Sequence, residues 1–221
     1  MQITDLTPVG KTKTRVTIDD DRTLVLSNRD VLQFDLRRDR EIPEETREEL
    51  WKKLRSDALR KCGSLLKDMD YTEKSLAGKL SGNGFPEDIV RGAVEAMKEA
   101  HYVDDRRFAE SYLQSHAGSR SRLRLRMDLL NKGISSDLAD EILAEWEEEN
   151  GSRIFEEEVG QIHELLRKRH YDPATANWQE TQKTKAFLMR KGYSSEVIRA
   201  ALRDGSGMRS FLDIDRESVY Y

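Results

Sequence analysis

Residue types able to do chemistry are sparse in this chain, and their spacing excludes most of it. The four histidines, His101, His116, His163 and His170, have no cysteine or acidic neighbour at metal-ligand spacing. His163 and His170 could share a helix face, but two imidazoles alone make a poor metal site. Cys62 is the single cysteine, which rules out an intrachain disulfide and an all-cysteine zinc site. It lies among periodically spaced apolar residues and reads as a small core residue. No glycine-rich phosphate loop joins a strand to a helix, and no serine stands on a strand-to-helix elbow. The acid runs Glu147-Glu148-Glu149 and Glu156-Glu157-Glu158 read as solvated helix faces. The residues therefore point to a non-enzyme that needs no metal or cofactor.

What remains is positive charge. Arg120, Arg122, Arg124 and Arg126 fall within seven residues and are followed by Lys132, with Asp128 as the only acid from Arg120 to Gly133. Arg120 stands near a helix start, where its charge opposes the helix dipole. This segment is either a solvated basic face or a contact for DNA phosphates or an acidic protein surface. A second patch comprises Arg167, Lys168 and Arg169, with Lys185, Arg190 and Lys191 beyond it. Upstream, Val103-Asp104-Asp105-Arg106-Arg107-Phe108-Ala109 opens a helix. Asp104 suits the N-cap and Asp105 the positive helix end. Either Asp105 or the Arg106/Arg107 pair is also available to a partner.

The elements that position these residues follow from a repeated pattern. Leu76-x3-Leu80-x3-Gly84-Phe85, Leu125-x3-Leu129-x3-Gly133-Ile134 and Thr184-x3-Leu188-x3-Gly192-Tyr193 share one plan. In each copy a Pro or Ser stands two residues past the glycine, an acid four past it and an aliphatic residue five past it. Such a glycine closes one helix in a left-handed cap, and the apolar residue after it tucks beneath both helices. Ser135 and Ser194 then cap the next helix, while Pro86 suits a first turn. A leading helix precedes each pair, at Trp51–Lys67, Asp105–Ser115 and Arg153–Arg169. His170-Tyr171-Asp172-Pro173 separates the last of these from its helix pair.

The expected fold is mainly α: three tandem three-helix, helix-turn-helix-like repeats in an elongated curved array. A small N-terminal β-hairpin plus short helix precedes them. Thr14-Arg15-Val16-Thr17-Ile18 and Thr23-Leu24-Val25-Leu26 supply the strands, Asp19-Asp20-Asp21-Arg22 the turn, and Ser27 the helix cap. The divisions fall at 1–42, 43–101, 102–150, 151–204 and a loosely ordered tail at 205–221. Composition agrees with repeats that each keep a wet face. Hydrophobic residues make up 37% and charged residues 36% of the 221, against about 45–50% apolar in an ordinary globular domain. The net charge of −4 argues against indiscriminate coating of nucleic acid, since such binding rests on counterion release by basic groups. No apolar run approaches the roughly 18 residues of a membrane span. The first residues lack the charged-then-apolar plan of a signal peptide. A cytoplasmic monomer without membrane contact is expected.

Tyr102-Val103-Asp104-Asp105-Arg106-Arg107-Phe108-Ala109 resembles the helix-opening signature of the RecX family. The arginine-rich turn with Arg124 and Leu129, Asn131-Lys132-Gly133-Ile134, Ser75-Leu76 with Leu80 and Gly84-Phe85, and Phe187-Leu188-Met189-Arg190-Lys191-Gly192-Tyr193 are similar to it as well. The resemblance spans about Trp51 to Arg203. The middle turn departs from it, with serines where Lys-Gly is more usual, and the third repeat arrives late. The resemblance implies a non-catalytic protein that binds along the groove of the RecA filament on single-stranded DNA. It further implies suppression of RecA's ATP hydrolysis, strand exchange and filament growth, with DNA met weakly or through the filament. Two other readings stand beside it: a sequence-specific helix-turn-helix DNA-binding protein, and a helical scaffold for another protein. The first of these is opposed by acids at the start of all three post-turn helices, Glu87-Asp88, Asp137 and Glu196.

Overall fold

Alternating β-branched residues near the start of the chain form a sheet rather than an isolated hairpin. The computed structural model describes residues 1–203 apart from position 20, which lies in the expected hairpin turn. Strands β1 (Ile3–Val9), β2 (Lys13–Ile18) and β3 (Arg22–Ser27) pair antiparallel in that order. The two strands expected from alternation are β2 and β3. The third, β1, escapes a period-two search because a register irregularity between Ile3 and Asp5 breaks its alternation and Pro8 marks it as an edge strand. Ser27 caps α1 (Asn28–Gln33), accepting the Asp30 N–H as its type predicts.

Two compact units make up the chain, one of Met1–Phe108 and one beginning at Ala109. In the first, α2 (Glu44–Leu66), α3 (Glu73–Gly82) and α4 (Glu87–Glu99) come after the sheet. Ile3, Val16, Ile18, Leu24 and Leu26 of the sheet share one core with Leu50, Leu54, Cys62, Leu76, Leu80 and Ile89 of the helices. A marginal small sheet is stable here because helices cover its apolar face. Cys62 is fully buried, as its setting in the sequence implied.

Helix α5 (Asp105–His116) runs from the first unit into the second, which continues with a 3-10 turn (Ala117–Ser119), α6 (Arg122–Lys132), α7 (Ser136–Lys168), α8 (Trp178–Arg190) and α9 (Ser195–Arg203). The expected leading helix at Arg153–Arg169 is not separate. It is the second half of the 33-residue α7, about 50 Å of chain at helical rise. Asn150 and Gly151 do not break it: neither proline nor a left-handed residue interrupts the hydrogen-bond ladder there. The division expected at 150/151 thus falls inside a helix. Residues 205–221, read as a tail, lie outside the described residues.

The turn glycines behave as the pattern required. Gly84, Gly133 and Gly192 have φ of +87°, +100° and +93°. In every copy the apolar residue after the glycine donates its N–H to the leucine carbonyl of the helix just ended: Phe85 to Leu80 (3.3 Å), Ile134 to Leu129 (3.1 Å) and Tyr193 to Leu188 (3.3 Å). A further pair of caps carries no glycine to announce it. His101 and His170 occupy left-handed positions, φ +58° and +51°. Tyr102 and Tyr171 then close the turns on Met97 and Leu166 carbonyls at 2.9 and 3.0 Å. These two histidines therefore serve as chain reversals. No helix among the described residues is long and apolar enough to cross a membrane.

Candidate nucleic-acid and partner interface

The opening of α5 divides its polar residues between roles. Asp104 accepts the Arg107 N–H at 3.0 Å, the N-cap its position implied. Asp105 turns inward and accepts the Glu73 N–H at the start of α3 at 2.8 Å. Burial pushes its carboxyl above the usual aspartate range, opposed by that hydrogen bond. Arg106 is half-buried, and Arg107 is exposed and donates to the His101 carbonyl at 3.1 Å. Of this group, the exposed guanidinium of Arg107 is the one turned toward solvent.

The arginine-rich segment is less positive in space than along the chain. Arg120 donates to the buried carboxylate of Asp128 at 2.6 Å and to the Tyr112 hydroxyl, which itself donates to Asp128 at 3.3 Å. Arg124 pairs with the other Asp128 oxygen at 3.1 Å. Arg126 holds Asp140 with two bonds of 2.5 and 2.7 Å and also reaches Ser136. Its guanidinium keeps the Asp140 carboxyl below the ordinary range. Arg122 pairs with Glu147, and its backbone N–H is taken by the buried Glu158 at 2.8 Å. Burial raises the Glu158 carboxyl above the usual glutamate range. Lys132 lies 5.0 Å from the Tyr112 ring centroid, and that ring stacks on His116. The local charge excess of this segment is thus offset by acids of α7. Asp128 is visible within the segment itself, but the sequence hides Asp140 and Glu147, which stand 14 and 25 residues beyond the arginines they engage.

The second patch is different. Arg167 is held by Glu164 through two bonds of 2.9 and 2.7 Å. By contrast, Lys168, Arg169, Lys185, Arg190 and Lys191 have no ion pair among the described residues. Arg169 lies over the Phe187 ring with its guanidinium carbon 4.2 Å from the centroid, and Lys191 approaches the same ring at 5.5 Å. This aromatic platform was not singled out by sequence reasoning, although Phe187 sits one residue before the repeat leucine. The structure also joins the two patches. Ser121, the N-cap of α6, donates to the Lys191 carbonyl at 2.8 Å. A Cβ on Gly192 would stand 2.7 Å from the Ser121 hydroxyl oxygen and 2.9 Å from the Leu123 Cβ. The glycine turn of the third repeat is therefore seated on the first turn of α6, which brings the Lys191 backbone to Ser121 and the Gly192 position to Leu123 and the Arg124 N–H. Exposed Leu123 and Met189 line a groove at this junction with Phe155 and Tyr193.

This geometry can hold a chain of phosphates or an acidic protein surface, but shows no assembled catalytic group among the described residues. Nor could any group of three or more of their His, Cys, Asp or Glu side chains hold a metal ion. Comparison with known proteins decides the family. Residues 104–143 match the second three-helix domain of RecX and residues 156–202 the third. The regulatory protein RecX of Trichlorobacter lovleyi is 30% identical over 139 residues, covering 61% of this chain and 86% of that protein. The chain belongs to the RecX family. A RecX-family regulatory protein of Clostridium perfringens (strain SM101) is 29% identical over 163 residues, 74% of this chain and 73% of its own length. A crystal structure of regulatory protein RecX shares the fold with a TM-score of 0.61 at 19% identity, covering 90% of this chain and 97% of that one. RecX from Lactobacillus salivarius gives 0.59 at 18% identity, covering 70% and 98%. The two matched domains are separated by the middle of α7. Both ends of the joined basic patch, Arg122–Arg126 and Lys168–Lys191, fall within them.

Proposed function

We propose that this RecX-family regulator binds the RecA filament on single-stranded DNA and restrains it, lowering RecA's ATP hydrolysis, strand exchange and filament growth. The observation that carries this reading is the set of unpaired cations on the third repeat, Lys168, Arg169, Lys185, Arg190 and Lys191, the last of them in the turn seated on the start of α6. Guanidinium and ammonium groups that no carboxylate engages are the ones free to exchange counterions for phosphates. Arg169 on Phe187 is also preorganised, because the ring holds its plane in place. The paired arginines Arg120, Arg122, Arg124 and Arg126 then serve mainly to hold α6 against its neighbours, with their outer edges contributing. In the first unit, Arg107 offers a contact of its own, with Asp105 and Arg106 behind it. The protein acts without catalysis, as a cytoplasmic monomer, and meets DNA weakly or within the filament.

The test is RecA ATP hydrolysis on single-stranded DNA with this protein titrated in. Hydrolysis is expected to fall in a dose-dependent way. The double variant Arg169→Glu with Lys191→Glu should require several-fold more protein for the same effect while keeping its helical circular dichroism. Hydrolysis that stays unchanged at saturating protein would sink the reading.

A further inference from the structure

Two shielded carboxylates in this molecule do the same job in consecutive repeats. Glu73 and Arg122 are each the first residue of the second helix of their repeat, and each stands eleven residues before the turn glycine, Gly84 or Gly133. In both, that first backbone N–H is bonded by a carboxylate from the next leading helix: Asp105 of α5, 32 residues on, and Glu158 of α7, 36 residues on, both at 2.8 Å. The cap residues just before, Thr72 and Ser121, are 0% and 2% exposed, so water does not compete for these N–H groups. The third repeat has no such acceptor from downstream among the described residues. Its α8 is capped locally, Asn177 and Glu180 bonding each other's N–H in a closed box.

We infer that Asp105 and Glu158 are positioning residues that key each repeat to the one before it. A side chain that merely filled space there could be apolar, since neighbouring apolar packing would hold it more cheaply than a shielded carboxylate. An acceptor aimed at one particular N–H is satisfied at one rotation and one height of the leading helix, so it fixes the stacking register. The charge itself is poorly supported. Glu158 faces Glu147 on its own helix and Arg122 on α6, with Glu196 of α9 lining the same groove. Asp105 faces Glu73 of α3, Lys98 of α4 and Asp104. What the site needs is therefore an oxygen acceptor, with charge secondary. The consequence within the second unit is that the separation between the cations of repeats two and three is set by the Glu158 hydrogen bond.

The test reads the molecule by itself and so stands or falls apart from the filament reading. In a Cys62→Ser background, nitroxide labels on exposed Asn131→Cys of α6 and Gln182→Cys of α8 report the stacking by electron–electron distance measurement. The parent and Glu158→Gln, which keeps a carbonyl acceptor, should give the same single narrow distance. Glu158→Leu, similar in bulk but without an acceptor, should lose that peak to a shifted or broadened one. Its Arg122 amide should exchange with solvent about tenfold faster or more. The pair Asp105→Asn and Asp105→Leu, read at the Glu73 amide, repeats the comparison should one variant fail to fold. A Leu variant indistinguishable from the parent would show that bulk suffices. A Gln or Asn variant as disrupted as Leu would show that charge, not the acceptor, sets the register. Either result overturns the inference.

Discussion

Replacing Gly192 by alanine should destabilise the second unit strongly, although it adds a single methyl group. Gly192 has φ +93°, and a β-carbon there costs about 1–2 kcal/mol in the left-handed region. The same carbon would stand 2.7 Å from the Ser121 hydroxyl and 2.9 Å from the Leu123 Cβ, inside van der Waals contact for both. Ser121 cannot retreat freely, since its hydroxyl donates to Lys191 at 2.8 Å and accepts the Arg124 N–H. Losing that cap costs about 1 kcal/mol. Together these give a loss on the order of 2–4 kcal/mol. Gly151→Ala is the internal control. Gly151 lies within α7 with open space around the added carbon, so the variant should gain up to about 1 kcal/mol of helix propensity. Urea unfolding followed by circular dichroism measures both. Equal midpoints for the two variants would refute the seating of the third repeat's turn on α6.

The carboxyls of Asp105 and Glu158 are raised by burial, so between their ordinary and folded titration ranges the folded chain binds more protons than the unfolded one. Stability should therefore rise as pH falls from neutral through the folded titrations and level off below the ordinary carboxylate range. The Asp105→Asn, Glu158→Gln double variant should lose that slope in urea midpoints taken across pH. For Arg126→Glu, the new carboxylate would face Asp140 where two hydrogen bonds now stand. A lowered urea midpoint is expected, so the α6 arginines cannot be reversed with stability untouched. Arg169→Glu with Lys191→Glu should instead leave the midpoint near the parent's and weaken binding to the filament on single-stranded DNA. The slope of log affinity against log salt should flatten by about 0.7 for each phosphate that the variant no longer engages.

What could be read directly from the residues was everything governed by local backbone chemistry. The glycine at each turn, the apolar residue after it, the Ser135 and Ser194 caps and the N-capping Asp104 all appear where the pattern put them. These rest on hydrogen bonds spanning a few residues, which leave a short-range imprint on residue type. The helical class and the three-helix repeat follow from the same imprint. Strand β1 and the continuity of α7 were hidden because a bulge and a proline blur one pattern, while Asn150-Gly151 imitates a break that the helix tolerates. The interface was legible only as a set of cations. Which of them remain unpaired depended on Asp140 and Glu147 of α7 reaching Arg126 and Arg122 across a turn of chain, with Asp128 shared by Arg120 and Arg124 closer by. Electrostatic pairing acts through space and is indifferent to sequence separation. The tertiary structure therefore decided that the α6 arginines are largely engaged, that Asp105 faces inward, and that two of the unpaired cations of the second unit, Arg169 and Lys191, meet at Phe187.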